Sequence, residues 1–106
     1  MLITSSSNDR IKHARRVREG RERDLIFIEG ERLVAECVSS GLPLQACFTA
    51  AAPSSSQLAL LERISCPVFQ LSESVLESLS DTTSTQGIIV IAERPWPALD
   101  SLFTNA

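Results

Sequence analysis

The sequence carries a single histidine, three cysteines and no apolar run that approaches the roughly 20 residues needed to span a bilayer. With one imidazole, His13, most nucleophilic triads and histidine-based metal clusters are excluded, and no aspartate, serine or cysteine stands in a pattern that would complete one around it. Cys37, Cys47 and Cys66 are odd in number and show no CxxC spacing. That pattern fits small buried hydrophobes in a reducing compartment better than a disulfide framework or a zinc site. Neither GxGxxG nor GxxxxGK occurs, which leaves nucleotide-cofactor readings without support. The opening MLITSSSNDR lacks the basic lead and apolar core of a secretory signal, so a cytoplasmic protein is expected.

What remains is a chain of 106 residues, 43% apolar, with a formal net charge of -3. Length and composition suit one domain with a real core, since folding buries roughly 65% of the unfolded surface at this size. The charge is unevenly spread. Between Asn8 and Arg23 stand seven basic residues, Arg10, Lys12, Arg15, Arg16, Arg18, Arg21 and Arg23, against Asp9, Glu19 and Glu22, a local balance of +4. A basic island in an acidic chain points to a polyanionic partner.

Helix and strand signals alternate four times. Asn8 or Ser7 caps a helix over Asp9 to Glu19 that Gly20 ends, with Ile11, Ala14 and Val17 on one face and Lys12, Arg15 and Arg16 opposite. Leu25 to Ile28 is a continuous apolar run of buried-strand length, stopping at Glu29-Gly30. A helix over Glu31 to Ser40, a strand over Leu44 to Thr49 and a helix over Gln57 to Ile64, with Leu58, Leu61 and Ile64 as its buried side, follow. Val68 to Leu71 forms a further strand, Ser72 caps a helix carrying Val75, Leu76 and Leu79, and Gly87 to Ala92 is the clearest strand. The expectation is a three-layer α/β/α sandwich around a four-stranded, mostly parallel sheet. Residues 1–94 make up the domain. The tail 95–106, where Pro95 and Pro97 bracket Trp96, breaks the rhythm and has the look of a linker.

Three segments carry candidate binding chemistry. Lys12, Arg15 and Arg16 offer cations at the spacing of a phosphate backbone, flanked by Arg10, with Arg23 in the loop beyond. An ordinary solvated face is the plainer account, and Arg21 or Arg23 has Glu22 or Asp24 as a ready partner. Gly30 opens a helix whose first backbone N–H groups favour an anion, with Arg32 two residues on; Glu29 and Glu31 serve equally to complement the helix dipole. The polar stretch from Thr82 to Gly87, with the Gln86 amide, is third, and turn chemistry accounts for most of it.

The run from Ile3 to Gly41 resembles the N-terminal substrate-binding domain of bacterial RNA ribose 2'-O-methyltransferases of the knotted SpoU, or TrmH-like, class. The motifs are Asn8 with Ile11-Lys12, then Arg23 followed by Phe27-Ile28-Glu29-Gly30-Glu31-Arg32-Leu33-Val34, and finally Thr85-Gln86-Gly87-Ile88. Family members often have proline where this chain has Thr85; the Gln-Gly turn is kept. The resemblance extends to Ala92 and implies a fold like that of ribosomal proteins that grip kinked RNA, with a mixed sheet. It implies RNA contact, ribosomal or transfer, at Asn8, Arg10, Lys12, Arg15, Arg16, Arg23, Gly30, Arg32 and Gln86. In the family a knotted domain follows, binds S-adenosylmethionine and dimerises. Its methyl-transfer motifs do not occur here, so this chain is expected to be non-catalytic, without a cofactor or metal of its own, and monomeric. Two other readings stay open: a structural or dimer-supporting module without RNA contact, and a free-standing RNA-binding protein.

Overall fold

The computed structural model describes residues 2–80 and 87–94. The expected alternation is present and gains one strand at the start. In order, the elements are β1 (Leu2–Ile3), α1 (Asp9–Arg18), β2 (Leu25–Glu29), α2 (Glu31–Ser40), β3 (Leu44–Ala50), α3 (Ser55–Leu61), β4 (Val68–Leu71), α4 (Glu73–Leu79) and β5 (Ile88–Glu93). The sheet therefore has five strands, not four, in the order β1-β4-β3-β5-β2. Two apolar residues are too short a run to show strand periodicity, and β1 exists because Leu2 and Ile3 pair in parallel with Gln70 and Leu71.

Nor is the sheet mostly parallel. β1, β4 and β3 pair in parallel, while β5 runs antiparallel to both β3 and β2. Strands β1 to β4 thus all point one way, and β5 is reversed between β3 and β2. Five of its six residues, Ile88 to Ala92, are buried. Alternate side chains feed two cores. Ile89 and Ile91 join Ile11, Ala14 and Val17 of α1 and Val75, Leu76 and Leu79 of α4 on one face. Ile88, Val90 and Ala92 join Val34 and Cys37 of α2 and Leu60 of α3 on the other. This is the three-layer sandwich that the apolar patterning predicts.

Of the predicted buried side of the helix at α3, Leu61 and Ile64 do pack, half-buried, on the core, and Leu58 does not. Ser54 accepts from the Gln57 N–H while Gln57 reaches back to the Ser54 N–H, a capping box that starts the helix two residues before the expected Gln57. Gln57 and Leu60 then face the core, and Leu58, assigned to the buried side, is 52% exposed. The signal was the Ser-x-x-Gln spacing itself. In β3 the register against β5 slips between Leu44 and Ala46, which leaves Gln45 as the extra residue of a bulge.

Candidate nucleic-acid interface

The first helix is built as the sequence implies. The Asn8 side chain accepts from the Arg10 N–H at 2.9 Å, so its clear role is to cap the helix. Ile11, Ala14 and Val17 are buried, and Lys12 and Arg16 point to solvent. The basic residues do not act as one patch, because the fold draws several of them into local tasks. Arg16 pairs with Glu22 at 3.2 Å, and Arg21 with Glu19 at 3.5 Å. Arg15 reaches back to the Ser6 carbonyl at 3.5 Å. Arg18 lies over the end of α4 and donates to the carbonyls of Ser78 and Leu79 at 3.1 and 3.0 Å. Arg10 stands over the Phe69 ring, 4.4 Å from its centroid. Lys12 is exposed and makes no side-chain hydrogen bond among the described residues.

Gly30 has φ 103 and ψ 145, a backbone conformation closed to residues with a Cβ, and it is buried against β5 through its N–H to the Ile88 carbonyl at 3.0 Å. The neighbouring carboxylates are held by hydroxyls: Ser56 donates to Glu31 at 2.6 Å and Ser80 donates to Glu29. These bonds tie the start of α2 to the start of α3 and to the end of α4. Gly87 joins the same corner, its carbonyl accepting from the Ala50 N–H at 3.2 Å. Arg32 projects outward with 92% of its side chain exposed, and Glu36 lies one turn along at 4.0 Å. Gln86 falls outside the described residues, as do Thr82 to Thr85 and the tail with Trp96.

The candidates therefore form two separate surfaces. α1 packs on one face of the sheet and α2 on the other, so Arg32 cannot share a plane with Lys12, Arg15 and Arg16. Arg23 lies at the far end of β2 from Gly30, where its carbonyl accepts from Arg94 Nε at 3.0 Å. Sequence spacing could show which residues share a helix face. It could not show that Phe69, far along the chain, sits beneath Arg10, or that the end of α4 takes Arg18.

The cysteines are free thiols. Burial pushes the Cys47 thiol up to about 12, with Cys66 nearby adding to the shift, and it raises Cys37 and Cys66 as well. Thiols held protonated in this way are poor nucleophiles. Among the described residues no cluster of histidine, cysteine and carboxylate groups is placed to hold a metal.

The family model for the MRM3-like substrate binding domain matches residues 8–90, from the cap of α1 into β5. The chain belongs to that family. Among solved structures, an RNA 2'-O ribose methyltransferase aligns at TM-score 0.79 and 27% identity, covering 90% of this chain and 38% of that one. The AdoMet-bound rRNA methyltransferase from Sinorhizobium meliloti aligns at 0.72 and 17% identity, over 89% and 36% of the two chains. The SpoU methyltransferase AviRb from Streptomyces viridochromogenes gives 0.71 and 18% identity, over 89% and 36%. This substrate-binding domain spans a little over a third of each of these methyltransferases, and the last two likenesses show its fold alone. No curated protein sequence matches it.

Proposed function

We propose that the domain binds RNA, ribosomal or transfer, and presents it to an S-adenosylmethionine-dependent ribose 2'-O-methyltransferase activity housed in a knotted domain outside this chain. The observation that carries the reading is the family match over residues 8–90, which spans nearly the whole sandwich. The basic island supports it: Lys12 is exposed, and Arg15 has only a long 3.5 Å contact to hold it. In this reading the domain itself makes no contact with the cofactor, dimerisation belongs to the knotted part, and the compartment is the cytoplasm, in keeping with three unpaired thiols.

A second reading draws on the arginines that the fold consumes. Arg16, Arg18 and Arg21 all bind groups of their own chain, as they would in a structural module that never touches RNA. A salt titration separates the two. Lys12→Ala with Arg15→Ala should weaken binding of ribosomal or transfer RNA fragments and flatten the plot of log affinity against log salt by roughly 0.7 to 0.9 per lost phosphate contact. Wild-type protein that binds neither RNA at low salt would exclude the RNA reading. Equal slopes for wild type and variant would move the interface away from α1.

A further inference from the structure

Beside α1 a cleft of about 280 Å3 opens onto β3 and β4, with Arg10 and His13 on its helix wall, Phe48 and Phe69 at its floor, and Asp9 and Gln45 at its rim. Its size lies at the lower end of small-ligand sites, which begin at roughly 300 Å3, and suits one planar ring system. Resting on the RNA reading above, we propose that this cleft receives a single unpaired nucleobase, stacked against the Arg10 guanidinium that stands over Phe69.

Four observations converge on a base in preference to a phosphate or an apolar group. The Phe69 ring is only half-buried, and Arg10 covers it at 4.4 Å where a core residue would ordinarily stand. Phe69 is itself braced by Phe48, with centroids 5.7 Å apart and planes inclined by 30°. A guanidinium held over an aromatic ring is a ready platform for a further stack, which is how arginine planes and aromatic rings take up splayed-out bases. Around this stack stand three polar side chains, Asp9, His13 and Gln45, with no hydrogen bond among the described residues. Together they offer acceptors and a donor for the edge of a base. The Asp9 carboxylate disfavours a phosphate here and matches the N–H groups of a base. Gln45 is the extra residue of the β3 bulge, a device that re-aims a side chain at the cost of one ladder pairing.

The test uses the 106-residue chain and two RNAs with equal numbers of phosphates, one single-stranded and containing 2-aminopurine, the other a fully paired hairpin whose strands are joined by a linker without bases. Wild-type protein should quench the 2-aminopurine of the single strand. Phe69→Leu, which keeps the floor apolar, and Arg10→Gln should each weaken single-strand binding by roughly fivefold to a hundredfold, the range of one lost stack. Hairpin affinity should stay at the wild-type value, and for Phe69→Leu the salt dependence should not change, because no phosphate contact is removed. Gln45→Ala, at an exposed position that loads no core, should reduce discrimination between bases, and it decides the matter if Phe69→Leu lowers the melting point. Unaltered single-strand affinity in all three variants, with a loss in Lys12→Ala and Arg15→Ala, would overturn the cleft and leave the RNA reading standing. Equal losses on both RNAs would also overturn it. A wild type that binds neither RNA would remove the RNA reading and the cleft together.

Discussion

Replacing Arg18 with methionine removes the guanidinium that closes the end of α4 and retains an unbranched side chain of similar reach. The last carbonyls of a helix have no partner within it. In α4 the Ser80 N–H goes to the Leu76 carbonyl, and the carbonyls of Ser78 and Leu79 receive Arg18 Nη1 at 3.1 and 3.0 Å. The side chain is 20% exposed, so water does not fully take its place. A hydrogen bond from a charged donor contributes about 1.5 to 3 kcal/mol net. Because one nitrogen serves both carbonyls and the site is partly wet, the lower end applies, and a cation at a helix C-terminus adds a few tenths of a kcal/mol. The expected loss is about 2 kcal/mol, which lowers the Tm of a domain this size by roughly 8 to 10 °C. Urea and thermal unfolding followed by circular dichroism would measure it. Arg18→Lys, which keeps the charge and loses the planar fork, should fall between the two. If Arg18→Met stays within about 0.5 kcal/mol of wild type, the scale of an ordinary surface change, the clamp between α1 and α4 is without energetic weight.

Four further outcomes are expected. Cys47 should resist a thiol reagent such as Ellman's at pH 8 in the native state and react on unfolding; prompt native labelling would contradict its burial. The same shift fixes a sign: the folded thiol holds its proton up to about 12 against 9.0 unfolded, so this contribution is intact below pH 9 and lost as the pH rises toward 12, readable as alkaline unfolding that Cys47→Ala displaces upward. Gly87→Ala places a Cβ 3.3 Å from the Gln57 amide nitrogen at φ +81 and should cost about 1 to 2 kcal/mol, which a denaturation curve would show. Ser54→Ala removes the cap of α3 and should cost about 1 kcal/mol, with the loss reduced in Ser54→Asp; an unchanged midpoint in Ser54→Ala would discount the capping box.

Local signals carried most of the architecture. The caps at Asn8 and Ser72, the buried faces of α1 and α4 and the strands β2 and β5 follow from spacing and composition, and the structure has each of them in place. But β2, expected to be buried, is an edge strand among the described residues in which only Leu25 is buried, because its apolar run pairs with β5 alone. Features that depend on a distant partner were not legible. Leu2 and Ile3 are a strand only beside β4, and the reversal of β5 has no mark in its own residues. Gln45 is a polar residue near the start of β3, yet nothing local says that it is the bulged one. For the candidate site, the basic island was plain in the sequence, but its division was not. Arg16 to Glu22 is a contact between near neighbours that charge pattern alone allows, with Glu19 as an equal candidate for other arginines. Arg10 on Phe69 and Arg18 on α4 span about 60 residues of chain and depend on how the layers close.

The reversed position of β5 governs the order in which this protein can be assembled on the ribosome. Among the described residues β2 has a single neighbour in the sheet, and that neighbour is the last of the five strands to be synthesised; Leu25 meets Glu93 and Glu29 meets Ile89. Until the ribosome has delivered residues 88 to 93, the apolar run from Leu25 to Glu29 has no strand to join, although α1, β3 and β4 are already outside. The nascent chain thus carries an unpaired apolar segment, of the kind prone to aggregate, while the middle strands of this sheet are made. Only β5, placed between β3 and β2, joins the two parts of the sheet.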